Sequence, residues 1–406
     1  MKNIGLLLIF ITLNSAAQEI TGDYWYNKPM RILQTVMRKP DAANYNVDSL
    51  VNYMKRVHAN TLVVNGGGVV DFFQNSLPMA NINPYIGKRD LLAEIVEGCH
   101  KEGIKVITRV DFRGVEKERY EQHPDWFARD EKGNPVILNY TTPEVYAPCY
   151  NSYYRNEHAV EFIEQLMSDY HVDGIWHNAV NFHNKCYCDR CKKDYLEKTG
   201  KPIPVKTSSK ADWDEYYKWN EGVAERQLSL MRNTIKKYGN DKSYAAEVFD
   251  MYKIEQQKET GISFYSVAEY FDFLVIVAFM ADNTEEFEYK DIYYPAAIVK
   301  FLKSLKPDKA PVILFGGNGT DHRYIYASPI DTRLWMWESA ASGGGFWNCY
   351  FNGYYPANAP DARNAYVTTD AYKYLDDNSE FIRHIQPVTD IRSEEHTSEL
   401  QSRQSI

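Results

Sequence analysis

Short apolar runs alternate with amphipathic helical stretches along most of this chain, and that rhythm limits the fold more than any other feature. Parallel neighbouring strands need a crossover long enough to hold a helix, so repeated strand–helix units imply a parallel sheet. Arg31–Met37 reads as the first strand, and Val47–His58 as a helix with Val47, Leu50, Val51, Met54 and Val57 on one face. Thr61–Val64 is the second strand and runs into Asn65-Gly66-Gly67-Gly68. A helix over Arg89–Glu102 leads to the third strand, Lys105–Asp111, and one over Asn156–Tyr170 leads to the fourth, Gly174–Asn178. Trp213–Lys237 is a long helix before strand five, Tyr244–Phe249, and Phe273–Phe279 is strand six. A helix over Pro295–Leu305 precedes strand seven, Val312–Phe315, and one over Asp331–Ala341 precedes strand eight, Gly345–Tyr350. Pro202–Ala211 and Asp250–Tyr265 read as loop insertions. Eight such units in about 330 residues predict a (β/α)8 TIM barrel, an α/β fold. A doubly wound open sheet is the alternative, but no G-x-G-x-x-G follows the first strand.

The two ends stand apart from this pattern. Met1-Lys2-Asn3, the apolar run Ile4–Leu13 and the small residues before Gln18 read as a secretory signal peptide over residues 1–17. The expected location is therefore secreted or periplasmic. The run is too short to span a bilayer, and no later stretch reaches that length. Residues 392–406 open on Arg392-Ser393-Glu394-Glu395-His396-Thr397 and look like the translation of a sequencing-library adapter. They are set aside as an artefact, with the barrel expected over 18–391 and the natural chain expected to continue past Ile391. A net charge of −9 argues against a nucleic-acid partner, which needs concentrated basic surface. An aromatic share of 14%, with 32 Tyr, suits sugar stacking, although aromatics also fill cores.

Barrel enzymes carry their reactive groups at the carboxyl ends of the strands. Those positions hold Arg38, Asn65, Arg109, Asp111, Trp176, His177, Asn178, Glu247, Asp250, Asn318, Asp321, His322, Arg323, Trp347 and Asn348. Amides and carboxylates that bond hydroxyls, with indoles to stack on a ring, suit a neutral polyhydroxylated ligand. Gly316–Thr320 lacks the lysine that a phosphate loop would carry. Glycoside hydrolysis uses two carboxyl groups. Glu247 is the first catalytic candidate, because apolar neighbours in Tyr244–Phe249 would raise its pKa toward a general acid's range. Pairing with Arg109 or Arg38 is the competing structural reading. Asp111 is the second, with partnership to Arg109 or Arg113 as its structural alternative; Asp250 and Asp321 are reserves. Arg109, His177, Asn178, Asn318, His322 and Trp347 are the expected substrate-binding residues. No serine sits in G-x-S-x-G, so no triad is assigned.

Cys186-Tyr187-Cys188-Asp189-Arg190-Cys191 places three thiols within six residues. Thiolates so spaced can converge on one Zn²⁺ at about 2.3 Å each, with a fourth ligand closing a tetrahedron. Cys149 is the first choice for that ligand and His183 the second. A disulfide among these cysteines is the alternative, although bridges across such short loops are strained. Cys99 and Cys349 read as small buried hydrophobes.

Cys149–Arg155, Gly174–His177 and Cys186–Cys191 together resemble glycoside hydrolase family 42 β-galactosidases. That resemblance implies a (β/α)8 barrel and a structural zinc held by Cys149, Cys186, Cys188 and Cys191. That family's acid/base glutamate falls between the strand-four tryptophan and the cysteines, where this chain reads Asn178–Lys185 without a carboxylate. A longer resemblance, over roughly residues 28–356, is to the hypothetical glycosyl hydrolase 6 family, relatives of α-L-fucosidase-like barrels. It rests on Val64–Gly68, Arg109–Phe112, His123–Phe127, Val172–Trp176 and the cysteines. In fucosidase-like relatives a nucleophilic aspartate ends strand four; Asn178 stands there, and an amide is a far poorer nucleophile. These resemblances imply an exported glycoside hydrolase acting on oligo- or polysaccharides, with a carbohydrate as its partner. They also imply oligomerisation through domains that follow the barrel. The alternative is a non-catalytic carbohydrate-binding barrel, changed at Asn178 or Asn181. Zinc-dependent hydrolysis is set aside, since four cysteine ligands leave no open position for water.

Overall fold

The computed structural model describes residues 23–138, 144–178, 180, 185–247, 264–279, 293–316, 328–350 and 362–385. Eight parallel strands form one sheet: β1 (Arg31–Thr35), β2 (Thr61–Gly67), β3 (Lys105–Val110), β4 (Gly174–His177), β5 (Ser243–Ala246), β6 (Leu274–Phe279), β7 (Pro311–Gly316) and β8 (Gly345–Tyr350). Their order is β5-β4-β3-β2-β1-β8-β7-β6, so the first and last strands in the chain are neighbours. Ile32 of β1 pairs with Thr61 on one side and Trp347 on the other. β5 and β6 meet through Asp272, whose N–H donates to the Tyr244 carbonyl at 2.8 Å. Its carboxylate Oδ2 accepts the Tyr244 N–H at 2.7 Å. The result is the (β/α)8 barrel that the strand–helix rhythm predicts.

The outer ring consists of α1 (Val47–Arg56), α2 (Leu91–Lys101), α3 (Ala159–Ser168), α4 (Asp189–Thr199), α5 (Lys210–Lys236), α6 (Tyr294–Leu305), α7 (Pro329–Ala341) and α8 (Thr369–Asp377). Two of these, α4 and α8, are not among the helices expected from the sequence. α4 buries only Cys191 and Tyr195, and stops at Gly200 in the left-handed region. α8 buries Ala371, Tyr372 and Leu375. α5 starts three residues before the expected Trp213, because Ser209 and Asp212 form a capping box over a polar first turn.

Strand alternation divides the apolar side chains between two compartments. Ile32, Val63, Ile107, Trp176, Ala245, Val275, Leu314 and Trp347 fill the lumen. Leu33, Leu62, Val64, Val106, Ile175 and Ala246 face the helices. Trp347 and Trp176 meet edge-on in the lumen with ring centroids 4.6 Å apart, and Trp347 Nε1 donates to Gln34 Oε1 at 3.0 Å. Trp347, expected at the rim, is thus fully buried beneath it.

The β5–β6 junction depends on one buried carboxylate. Asp272 also receives Arg232 at 2.7 Å and Lys236 at 2.9 Å from α5. Removing one member of such a group leaves buried charge uncompensated. Asp272→Asn is expected to lower unfolding free energy by about 3 kcal/mol in denaturant titration. An unchanged midpoint would show that the barrel closes without the clasp.

Candidate active site and metal centre

Parity along each strand determines which residues reach the barrel mouth. Ile107 points into the lumen, so Arg109 and then Asp111 follow it inward at the end of β3. Trp176 likewise directs Asn178 inward, and Ala245 directs Glu247 inward. Arg109 Nε donates to Asn178 Oδ1 at 3.0 Å, and Asn178 Nδ2 donates to Asp111 Oδ2 at 3.1 Å. Arg113 grips Asp111 from outside, with Nη2 to Oδ2 at 2.6 Å and Nε to Oδ1 at 2.9 Å. Gly68 lets the loop after β2 pack on this strand end: its φ is +113°, and a Cβ there would strike the Asp111 carbonyl. Glu247 is 9% exposed, and its N–H donates to the His177 carbonyl at 2.9 Å. Cys349 in the lumen feels both charges: burial pushes its thiol up, Arg109 opposes that and Glu247 adds to it.

These contacts separate the two candidate carboxyls. Burial pushes the Asp111 carboxyl up, but the charges and hydrogen bonds of Arg113, with Arg109, outweigh it and hold Asp111 well below the usual carboxylate range. Asp111 is therefore ionised at any working pH and cannot serve as the proton donor. Asn65, another rim candidate, is engaged in capping β1, accepting the Met37 N–H at 2.9 Å and donating to the Met37 carbonyl at 3.2 Å.

His177 follows the opposite parity and faces outward, packed edge-on against Phe112. Its Nε2 lies 3.3 Å from Arg155 Nη1 and its Nδ1 lies 3.2 Å from the Tyr244 hydroxyl. A guanidinium can only donate, so Nε2 accepts and the proton sits on Nδ1. Burial and the Arg155 cation outweigh Asp111 and lower His177 to about 3, while burial lowers the neighbouring His158 to about 4. Both rings are neutral in the fold, whereas the unfolded chain takes up their protons as pH falls through 6.5. Their contribution to stability is whole above pH 6.5 and is lost toward pH 4 and 3. The melting temperature should therefore fall across that window, and His158→Phe should flatten the fall. A variant profile parallel to wild type would contradict this.

The four candidate thiols converge. The Sγ atoms of Cys149, Cys186, Cys188 and Cys191 all lie within 4.8 Å of one another, with Cys149 3.4 Å from Cys191 and 3.5 Å from Cys188. A tetrahedral ion with bonds of about 2.3 Å would separate its sulfurs by about 3.8 Å, so the cage fits a metal of that kind. None of the four is in a disulfide. Cys188 is the N-cap of α4 and Cys191 lies in its first turn, where the helix dipole favours thiolate. Cys188 is drawn below the ordinary thiol range by hydrogen bonds from Cys149, Cys186 and Cys191. The Asn151 N–H points at Cys149 Sγ from 3.3 Å, and Asn151 Nδ2 points at Cys191 Sγ from 3.5 Å. The cage joins the loop after β3 to the loop after β4.

Beside it opens a small cleft, lined by Arg113, Tyr150, Arg155, Trp219 and Asn220 among others. Arg155, to which sequence reading gave no role, sits in a single π-helical turn, Tyr154–His158, ahead of α3. Such turns occur frequently at functional sites. The sequence signal available was its place in the Cys149–Arg155 stretch. Asn318, His322, His183, Asn181, Asp250 and Asp321 lie outside the described residues.

Residues 46–179 match the family model described as hypothetical glycosyl hydrolase 6. This segment carries Asp111, Arg155, His177 and Asn178. No curated protein sequence matches the chain. Among solved structures, the α-L-fucosidase isoenzyme 2 from Paenibacillus thiaminolyticus aligns with TM-score 0.66 and 14% identity, over 89% of this chain and 51% of that one. The β-galactosidase from Rahnella sp. R3 aligns with TM-score 0.64 and 14% identity, over 90% and 59%. The PgaB glycoside hydrolase domain from Bordetella bronchiseptica aligns with TM-score 0.62 and 13% identity, over 89% and 99%. The chain thus shares the (β/α)8 barrel fold of these proteins and spans about half the length of the fucosidase. No helix among the described residues is long and apolar enough to cross a membrane.

Proposed function

We propose that the protein hydrolyses glycosidic bonds of oligo- or polysaccharides at the barrel mouth, with Zn²⁺ in the four-cysteine cage as a structural staple. What supports this reading is the Arg109–Asn178–Asp111 network at the carboxyl ends of β3 and β4, with Glu247 at the same end of the adjacent β5 and of the same inward parity. Glu247 supplies the proton to the leaving oxygen. Asp111, kept ionised, is the second carboxyl; it fixes Arg109 and Asn178 to meet sugar hydroxyls and lends negative potential to an oxocarbenium-like transition state. Four thiolates complete the zinc shell, so the metal takes no part in the reaction. The signal read at residues 1–17 lies outside the described residues; export belongs to this proposal and is checked by a mature amino terminus at Gln18.

One observation favours a second reading, a carbohydrate-binding barrel without turnover. Asn178 occupies the end of β4 with its amide committed to Arg109 and Asp111, leaving no carboxylate on that strand. A panel of aryl fucosides, galactosides, arabinosides and glucosides separates the two. Release of the aryl group from at least one, lost in Glu247→Gln, is the expected result. Binding of glycans with no turnover on any would assign the second reading.

A further inference from the structure

We infer that the cleft beside the four cysteines receives a carboxylate-bearing sugar, a uronate, with Arg155 as its counter-charge. This rests on the glycoside hydrolase reading above and names its substrate class.

Arg155 is 2% exposed. The other buried or half-buried arginines of this region have carboxylates: Arg113 and Arg109 meet Asp111, and Arg232 meets Asp272. Among the described residues Arg155 has none. Its Nη1 reaches only the neutral His177 ring, its guanidinium lies over the Tyr150 ring at 4.0 Å, and its Nε is buried without a partner. A buried cation is costly unless it is paired, so a guanidinium held on a cleft wall without a carboxylate is a position for an anion from outside.

The shape of the donors selects among anions. A guanidinium fork matches a planar carboxylate with two parallel hydrogen bonds. Trp219 offers an apolar face to a pyranose ring, and Asn220 offers amide groups to its hydroxyls. Tyr150, beneath the guanidinium, directly follows the metal-ligating candidate Cys149, so the cysteine cage positions the wall that holds Arg155 in place. The Tyr150 hydroxyl is itself anchored to the Val180 carbonyl at 3.2 Å.

The test is calorimetric titration of the full chain with methyl glucuronide and methyl galacturonide, against the corresponding neutral methyl glycosides, glucose 6-sulfate and acetate. The uronides are expected to bind about 10- to 100-fold more tightly than the neutral sugars, the ratio that a charge-assisted hydrogen-bonded pair gives. Arg155→Gln should bring that ratio close to one, and Arg155→Lys should recover part of it. Asn220→Asp, which places a rival carboxylate on the cleft, should lower it several-fold and decides the matter if Arg155→Gln does not fold. Equal affinity for uronides and neutral sugars, or a ratio indifferent to both substitutions, overturns the inference. Acetate or glucose 6-sulfate binding as tightly as the uronides also overturns it, because neither joins a planar carboxylate to a sugar ring. Aryl uronides and neutral aryl glycosides then separate this inference from the reading it rests on. Tight uronide binding without turnover of any aryl glycoside keeps the acidic-sugar site and removes the hydrolase. Turnover of neutral glycosides without uronide preference does the reverse.

Discussion

Withdrawing zinc from the four-cysteine cage is expected to release about one ion per chain and to lower the protein's stability by about 5 kcal/mol or more. The sulfurs lie within 4.8 Å of one another and between 1% and 8% exposed. Four thiolates that close cannot coexist without a cation, so the empty cage must take up protons or open. Structural zinc contributes about 10–16 kcal/mol of apparent binding free energy in small metal-dependent peptides. Only part of that should appear here, because the barrel lumen and its helix ring have apolar cores of their own. The loss should concentrate where apolar packing is thin, in α4 and in the loop that carries Tyr150. Cys188→Ser should have nearly the same effect as chelation, since Cys188 both caps α4 and contacts its three neighbours. Metal analysis of the purified chain, with melting curves taken with and without chelator, tests this. No co-purifying zinc and an unmoved transition would show that the four thiols pack without an ion.

Replacing Glu247 by Gln is expected to reduce turnover by about 10³-fold, within the range for loss of a general acid, while leaving the melting temperature close to that of wild type. The amide fills the same space at the end of β5 but has no proton of suitable acidity to give. Asp111→Asn should behave differently. It leaves Arg109 and Arg113 without the carboxylate that both grip, so it should destabilise the loop after β3 and reduce activity together. Comparing the two variants by turnover and by thermal midpoint therefore distinguishes the acid from the organiser. Full turnover in Glu247→Gln would remove Glu247 from the chemistry and turn attention to the carboxylates beyond β5.

Much of the barrel is readable from local pattern. The eight strands are recognisable as short apolar runs, and helices such as Val47–Arg56 and Ala159–Ser168 by their amphipathic period, which depends only on near neighbours. α4 has a weak signal, being mostly polar and held by Cys191, Tyr195 and the turn at Gly200, and α8 lies beyond the eighth strand with only Ala371, Tyr372 and Leu375 buried. The cysteine cage is legible for a related reason: C-x-C-x-x-C constrains three thiols to one small volume whatever surrounds them. The fourth member, Cys149, needs the loop after β3 to fold back, and Asn151 then directs its N–H groups at the sulfurs.

The mouth was legible as a set of residue types and not as an arrangement. Arg109, Asp111, Asn178 and Glu247 occupy strand ends and share inward parity, and the first three meet in one hydrogen-bonded network. His177 sits one residue from Asn178 and turns to the helix side, because successive strand residues face opposite ways. Trp347 shares inward parity yet lies lower in the strand, where the lumen is packed solid against Trp176. By itself, then, the sequence determined the eight strands and six of the helices, the cysteine cluster and the stock of polar groups near one rim, since each is written in short-range spacing. Only the tertiary structure decided that Asp111 is bound by two arginines, that His177 is sealed from the mouth, and that Arg155 lines a cleft with no carboxylate partner among the described residues. Pairing of charges depends on which loops meet across the barrel, and that is a property of the closed ring rather than of any segment in it.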